Sequence, residues 1–438
     1  MKRILWAGLC TFALTGIAFA DHNVQRFRAT TSQQIIDALL AASSHNGLTV
    51  VNIAPGDYVL PPAAFESDFG PNSLPIITTR VILSGQDADT TTLRGSGAGR
   101  LILVDGGHLS IHGLTLTGGR PVIIEEETQG GLEEGGGAIA NLGGTVRITK
   151  SVLTGNGTGT MDGTLGGAIM SLDGRLLIED TTLRNNGTSG FGGAIGIRGG
   201  KAWIRRSVIR ANGTNSFLIG GAGGISSSAD PLVITDSTIS GNSAISDEPE
   251  SSINGGGILN GGTLWLIDSA VVENRTVRFL DSPLPGSGGG IVNGGELNIV
   301  NSTIGGNVAG TAGGGILNDG TVRLLGATIA ANQSFGVPDL TRSFGPTCNL
   351  LVIEGCPRGG GGIRNEGDGR VTMLSSVIAN NEGAFPALPG PECFGVITSK
   401  GFNAFGDLRD CTVQRSAHAD GPGSDGHRSE ARRSRRQW

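Results

Sequence analysis

The sequence is built from one short unit that occurs eight times, and this internal repeat constrains the fold more than any other feature. A representative copy, GGIVNGGELNIVNSTIGGN at Gly289–Asn307, holds two glycines, an aliphatic residue, a glycine turn, an alternating segment and a closing Ile-x-x-Asn. The aliphatic residue is isoleucine in every copy: Ile139, Ile169, Ile195, Ile225, Ile258, Ile291, Ile316 and Ile363. Their spacings are 30, 26, 30, 33, 33, 25 and 47 residues. Such a repeat predicts a solenoid, because one unit cannot bury its apolar face alone.

Each unit contains a short segment in which apolar residues alternate with polar ones. A period of two indicates a strand with one buried face. Glycines between the segments permit tight corners, and nothing in the unit resembles a ten-residue helix. This pattern favours a parallel β-helix over an antiparallel sandwich joined by hairpin turns. One apolar position should then form a buried column: Ile148, Ile178, Ile204, Ile234, Leu266, Ile299 and Leu324.

An asparagine closes every unit at the same position: Asn156, Asn186, Asn212, Asn242, Asn274, Asn307, Asn332 and Asn381. Asparagine tolerates the left-handed conformation that a corner needs, and stacked amides bond to one another along a fibre-like axis. Eight repeated copies indicate a structural ladder instead of a catalytic group. The Asn-x-Ser/Thr sequons at Asn156, Asn186 and Asn212 are interpreted as by-products of this ladder.

The repeats resemble those of a known group of proteins. GGAI at 136–139, 166–169 and 192–195, with ISGN at 239–242, is similar to the GGAI and Phe-x-x-Asn repeats of polymorphic outer-membrane proteins, with an aliphatic residue in place of the Phe. More broadly, residues 30 to 411 resemble bacterial proteins of the pectin-lyase-like superfamily. The resemblance implies an all-β chain forming a single right-handed parallel β-helix. It is weak for function, because this fold serves many unrelated tasks.

The chain divides into four predicted parts. Residues 1–20 have the positive start, apolar core and A-x-A site of a signal peptide, which predicts a secreted or cell-surface protein with no transmembrane segment in the mature chain. Residues 21–80 are expected to form an N-terminal cap. In it, a helix at 30–46, N-capped by Ser32 and burying Ile35, Ile36, Leu39 and Leu40, covers the first rung. Residues 81–411 are the β-helix, and residues 412–438 are a basic tail expected to be disordered, or the product of a frameshift or truncation.

Four cysteines of the exported chain fall into two local pairs, Cys348 with Cys356 and Cys393 with Cys411. Disulfides are the favoured interpretation in a secreted chain, and zinc is the alternative, although no C-x-x-C spacing is present. The acidic insert EEETQGGLEE at 125–134 is interpreted as a solvated loop, with a calcium site as the alternative. No other cofactor or metal is predicted.

The charge of the chain limits its partners. The net charge is −6, and setting aside two positive charges in the signal and three in the tail leaves −11 for residues 21–414. An acidic rod is a poor nucleic-acid binder. It also repels polyanionic pectin or alginate unless calcium or local arginines intervene.

The pectin-lyase-like superfamily includes polysaccharide lyases and polygalacturonases, so the resemblance makes a catalytic site one possible expectation. The polygalacturonase-like set of Asn-Thr-Asp, Asp-Asp, Gly-His-Gly and Arg-x-Lys is absent, and His112 precedes a glycine at an ordinary repeat position. Asp180, Asp236 and Asp268 share one register position with Asn301, which indicates corner residues or, alternatively, a carboxylate row. The leading hypothesis is a non-catalytic, adhesin-like or glycan-binding β-helix. The alternative is a carbohydrate-active enzyme, a lyase or a glycoside hydrolase.

The outward position between the two buried strand positions carries large apolar residues on four consecutive rungs. Down the rungs it contains Arg147, Leu177, Trp203, Val233, Trp265, Asn298, Arg323 and Thr372. Exposed aromatic rows stack on sugar rings or receive a protein partner. We therefore predict a ligand platform formed by Trp203, Val233 and Trp265 and flanked by Arg205. The alternative is that the long corners at 243–254 and 275–287 fold back and bury both indoles.

Overall fold

The computed structural model describes residues 23–62, 64–121, 135–159, 163–215, 219–246, 252–278, 286–310, 312–334, 360–383, 392–408 and 411–415. These residues form an almost entirely β structure with a single α-helix. The chain winds as a parallel solenoid in which each rung lies directly on the previous one. The predicted fold class, a right-handed parallel β-helix with a capping helix, is confirmed.

The helix, α1, spans Ser32–Ser43 and lies against the first two strands of the solenoid. Its N-cap is Thr31, whose hydroxyl accepts a hydrogen bond from Gln34 N, so the predicted cap at Ser32 is wrong by one residue. Ile35, Ile36 and Leu39 are buried as predicted. Leu40 is 47% exposed, because the buried stripe turns toward Ala38 and Ala42 instead. The buried face of the helix joins the apolar core at the first rungs of the solenoid.

Each complete rung contributes strands to three long sheets and a short fourth one, named here in chain order. The strands of the first sheet are Ile102–Asp105, Ile139–Leu142, Ile169–Leu172, Ile195–Arg198, Ile225–Ser227, Ile258–Asn260, Ile291–Asn293, Ile316–Asn318 and Ile363–Asn365. Those of the second sheet are Val24–Ala29, Leu48–Ile53, Arg80–Ser84, His108–His112, Thr145–Thr149, Arg175–Glu179, Lys201–Arg205, Leu232–Thr235, Thr263–Ile267, Glu296–Val300, Thr321–Leu325, Arg370–Leu374 and Cys411–Arg415. Cys393–Ser399 pairs with strands of both sheets and joins them.

The third and fourth sheets complete the cross-section. The third sheet contains Gly56–Val59, Thr91–Arg94, Thr115–Thr117, Val152–Thr154, Thr182–Arg184, Val208–Arg210, Thr238–Ser240, Ala270–Val272, Thr303–Gly305, Thr328–Ala330, Val377–Ala379 and Ala404–Phe405. The fourth contains Gly187–Thr188, Gly213–Asn215, Ser243–Ser246, Arg275–Arg278, Val308–Ala309 and Gln333–Ser334. Ile219–Gly221 and Ser252–Asn254 form a separate pair. The pairings between these strands are parallel, so equivalent residues of successive rungs stack in columns.

The predicted core column is confirmed. Along the second sheet, Ile148 is in register with Ile178, Ile178 with Ile204, and so on to Leu324. All seven side chains are 3% exposed or less. They belong to one continuous apolar core that runs the length of the solenoid. Alternation with period two is therefore what places one face of each strand inside.

The corner between the second and third sheets requires a left-handed residue in each rung. Lys150, Asp180, Arg206, Asp236, Asp268, Asn301 and Ser375 occupy it with φ between 45° and 50°. Asp and Asn adopt this conformation more readily than most residues. Asp180, Asp236 and Asp268 are thus corner residues, and Arg206 separates the first of them from the other two. Of the alternative carboxylate row, Asp236 and Asp268 lie on adjacent rungs.

The last coil is fastened by a disulfide. Cys393 and Cys411 are bonded, with their Cα atoms 5.5 Å apart, and they lie on adjacent paired strands. This confirms the second of the two predicted cysteine pairs. Cys348 and Cys356 lie outside the described residues.

Replacing one member of the core column is expected to destabilise the protein strongly. Ile234→Ala should lower the free energy of unfolding by about 2–5 kcal/mol, because it leaves a cavity between two rungs. Denaturant unfolding measures this loss, with Val233→Ala, a half-buried neighbour on the same strand, as the control. Equal losses for the two variants would contradict the assignment of their faces.

Reducing the disulfide is expected to loosen the end of the solenoid before the rest. The strand Cys411–Arg415 pairs only with Cys393–Ser399 among the described residues, so it depends on one neighbour and the cross-link. Hydrogen exchange with and without reductant should show faster exchange first at residues 393–415. Uniform acceleration along the whole chain would count against this view.

Candidate functional site

The eight asparagines form a continuous ladder inside the corner after the third sheet. Each amide oxygen after that of Asn156 accepts hydrogen bonds from both the backbone N–H and the side-chain amide of the previous asparagine; for Asn242 accepting from Asn212 these measure 3.0 and 2.9 Å. The contacts run rung by rung from Asn156 to Asn381. All eight side chains are 3% exposed or less, so the folded ladder presents neither ligand-binding groups nor accessible sequons.

The left-handed conformation at this corner belongs to a different residue from the one predicted. Positive φ values occur one position before each ladder asparagine, at Gly155, Asn185, Ala211, Gly241, Glu273, Gly306, Ala331 and Asn380. The ladder asparagine itself turns its side chain inward along the axis. Its amide bonds replace the strand pairing that the corner interrupts.

The ladder ends on a buried carboxylate that the sequence pattern did not reveal. Glu392 is 3% exposed and accepts from Asn381 Nδ2 at 2.7 Å and from Asn380 N at 2.9 Å. It occupies the place that the next asparagine would take. Because a carboxylate accepts at both oxygens and donates at neither, it satisfies the last donors of the stack without creating new ones.

Two further ladders were missed by sequence reasoning. Asn260, Asn293, Asn318 and Asn365 are linked by amide hydrogen bonds of 2.7 Å beside the first sheet. Hydroxyls form another, in which each backbone N–H donates to the hydroxyl of the next rung: Ser151, Thr181, Ser207, Ser237, Ser269 and Ser302. An asparagine two positions after the repeat isoleucine, in four successive units, was the available signal for the first.

The predicted ligand platform lies on the outer face of the second sheet. Trp203, Val233 and Trp265 occupy directly paired positions on three successive strands. Trp265 is 36% exposed, and Trp203 and Val233 are half-buried. Both indoles therefore retain access to solvent. Arg205 lies two residues beyond Trp203 on the same strand and is exposed.

Basic side chains lie on the same face as this row, most of them on or before the strand that carries Trp203. From the strand Thr145–Thr149 to the strand Thr321–Leu325, the outward positions of the second sheet carry five basic residues, Arg147, Arg175, Lys201, Arg205 and Arg323, against two acidic ones, Glu179 and Glu296. The Arg175 guanidinium lies over the Trp203 ring, 5.9 Å from its centroid, at cation–π distance. A protein that is acidic as a whole thus presents a locally positive face.

Both acidic residues of the face are held by arginines. Glu179 is paired with Arg147 and Arg206, and Arg206 also binds the corner residue Asp180. The hydrogen bonds and charge of Arg206 lower the pKa of Asp180 below its ordinary value. The Asp180 carboxylate is therefore ionised at neutral pH, and arginine side chains neutralise the charge of this acidic pair.

The platform ends at a polar network one rung beyond Trp265. Asn298 is in register with Trp265, but it is only 4% exposed, because Glu296 and Arg323 close around it. Asn298 donates to Glu296 Oε1 at 3.0 Å and accepts from Arg323 Nη1 at 3.2 Å, and Arg323 also binds Glu296. The pKa of Glu296 is lowered, mainly by the hydrogen bond from Asn298 and to a lesser degree by the charge of Arg323. Partial desolvation of Glu296 opposes this shift.

The geometry gives little support to the metal site and the catalytic residues that were considered from the sequence. Within the described ranges, no three His, Cys, Asp or Glu side chains gather as metal ligands, and the acidic insert at 125–134 lies outside those ranges. His112 is half-buried, with Nδ1 2.9 Å from the Thr149 hydroxyl on the next rung. No helix among the described residues is long and apolar enough to span a membrane.

Comparison with known proteins finds likeness in the fold alone. No family model matches the sequence, and no curated protein matches it. Among solved structures, the chain is similar to the A-module of mannuronan C-5 epimerase AlgE6 from Azotobacter vinelandii, with 14% identity and a TM-score of 0.40, over 90% of this chain and 93% of that one. The A-module of epimerase AlgE4 from the same organism gives 12% identity and a TM-score of 0.35, over 89% and 100%.

Replacing one ladder asparagine is expected to lower the free energy of unfolding by much more than the size of its side chain suggests. Asn242→Ala should lower the free energy of unfolding by about 2 kcal/mol or more, because buried groups of Asn212 and Ile209 lose their partners and each such loss costs roughly 1–3 kcal/mol. Chemical denaturation of Asn242→Ala beside Ser240→Ala, a half-buried neighbour, measures the difference. A loss no greater than that of Ser240→Ala would show that the ladder contributes little.

Proposed function

We propose that this protein is a secreted or cell-surface binding module for an acidic polysaccharide, held on the outer face of the second sheet. The observation that carries the proposal is the row Trp203, Val233 and Trp265 set among five basic side chains. Indoles stack on sugar rings, and cations nearby attract carboxylate groups. The signal-peptide pattern at 1–20 supports export to the place where such polymers occur.

The distribution of charge favours an acidic glycan over a neutral one. Lys201 and Arg205 have no ion-pair partner among the described residues, and both flank Trp203 on its own strand. Unpaired surface cations beside an aromatic ring are suited to a ligand that is both cyclic and anionic. The same cations overcome the repulsion that the chain's overall negative charge exerts on a polyanion.

The state of the carboxylates favours binding over catalysis. Glu179 and Glu296, the acidic groups on this face, are each paired with arginine, and the pKa of Glu296 is lowered. A general acid requires the opposite shift, a raised pKa, so Glu296 is not suited to protonating a glycosidic oxygen, and Glu179 is held by its two arginine partners. The alternative, a polysaccharide lyase or glycoside hydrolase, is kept as an outcome of the experiment.

Removing both indoles is expected to abolish binding without unfolding the protein. Purified protein and the variant Trp203→Ala/Trp265→Ala are titrated calorimetrically with acidic and neutral polysaccharides. The parent should bind acidic chains, and added salt should weaken that binding, since the cations contribute through screened charge. The variant should lose it with a nearly unchanged thermal midpoint, because both side chains sit on the outer face.

Each other outcome has a distinct meaning. A large fall in the thermal midpoint would assign the indoles to packing. New reducing ends or unsaturated products during incubation would favour the enzyme. Binding of no glycan, together with capture of a specific protein ligand that requires both indoles, would replace the glycan with a protein partner. The variant Leu325→Ala, which removes an exposed apolar side chain on the same sheet away from the indole column, is the matched control.

A further inference from the structure

The two indoles of the platform are separated by a fixed number of rungs. Trp203 pairs with Val233, and Val233 pairs with Trp265, so the tryptophans share one column with one rung between them. Adjacent parallel strands lie about 4.8 Å apart, which places the two tryptophan positions roughly 10 Å apart along the axis. Because both side chains project from the same sheet, they meet a ligand from the same side.

Resting on the proposed function, we infer that the ligand is an extended, two-fold 1,4-linked acidic chain that lies parallel to the solenoid axis. In such a ribbon each sugar is turned over relative to its neighbour, so equivalent ring faces return at every second residue. The length of this two-residue repeat is close to two rungs. Alternate sugars therefore stack on Trp203 and Trp265, and the intervening sugar lies over Val233.

The positions of the charges fit the same orientation. Lys201 and Arg205 lie two residues before and after Trp203, so their backbone positions are about 7 Å to either side of Trp203 along the strand. A two-fold acidic ribbon projects successive carboxylates toward opposite edges. One edge faces the side of Arg175 and Lys201, and the other faces Arg205.

Other chain orientations and shapes fit less well. A ligand crossing the solenoid at right angles would follow one strand, and each strand of the second sheet in this region carries at most one tryptophan. A three-fold chain returns the same face only after three residues, which would bring it past Trp265 to Asn298. Glu296 and Arg323 cover Asn298, and its side chain is only 4% exposed. The two-rung spacing is thus specific to a two-fold ribbon.

Moving tryptophans between rungs tests this inference without changing the composition of the platform. Val233→Trp/Trp265→Val brings the indoles to adjacent rungs, and Leu177→Trp/Trp203→Leu sets them three rungs apart, because Leu177 is in register with Trp203. Each should bind β-1,4-linked oligoglucuronate about tenfold more weakly or worse, since one stacking contact is lost. Combining all four substitutions places the tryptophans at positions 177 and 233. They are again two rungs apart, shifted by one rung toward the N-terminal end, and the variant should recover most of the affinity.

Chain length provides a second measurement that needs no variant. The trisaccharide is the shortest ligand that reaches both indoles, so affinity should rise sharply from disaccharide to trisaccharide. Oligogalacturonates, acidic but not two-fold, should bind more weakly than oligoglucuronates of equal length. Cello-oligosaccharides, two-fold but neutral, separate the contribution of shape from that of charge.

The outcomes distinguish this inference from the function on which it rests. If the parent binds acidic chains but both shifted variants bind equally well, or the trisaccharide shows no gain, the axial register is wrong and the proposed function stands. If the parent binds none of these probes, the proposed function fails and the inference fails with it. If the shifted variants do not fold, as judged by circular dichroism, the length series alone decides.

Discussion

Hydrogen bonding along the solenoid axis is the constraint on which the rest of this structure depends. Each strand pairs in parallel with the equivalent strand of the rungs above and below, so a residue at one position always meets its counterparts at the same position. A rung cannot shift sideways without turning its apolar side chains out of the core. The described part of the molecule is therefore a set of columns, and the residues within each column must be chemically compatible with one another.

Buried polar columns meet this requirement in a particular way. An isolated buried amide is costly, but an amide stacked on another amide donates and accepts in the same direction as its neighbours. The asparagine ladder, the second amide ladder and the hydroxyl ladder each fill a place where a corner interrupts strand pairing. Beside the first asparagine ladder and the hydroxyl ladder, positive-φ residues set the corner geometry, while the ladders satisfy the backbone there. At these corners, one residue therefore provides the left-handed conformation and its neighbour provides the hydrogen bonds.

This division between column position and corner conformation explains which features the sequence predicted and which it did not. The core column followed from period two, because a strand's alternation decides its buried face whatever its neighbours are. The asparagine column was found for the same reason, but its conformation was misassigned, since a repeat shows which residues recur and not which of two adjacent residues turns the chain. Glu392 occurs once, so no repeat could reveal it. The cation over Trp203 and the burial of Asn298 depend on side-chain rotamers of Arg175 and Arg323, which periodicity does not specify.

On the second sheet, the inward columns contribute to stability and the outward columns determine which groups the surface displays. Inward positions are held to similar aliphatic residues because each must pack on the rungs on either side. Outward positions carry no such demand, and there the column passes from Arg147 through Trp203 and Trp265 to Arg323. Variation on the outer face changes the ligand groups displayed at one fixed spacing without disturbing the core beneath. The ligand that we propose for this face is a linear polymer whose own repeat matches the two-rung spacing, so that every second rung adds a contact of the same geometry.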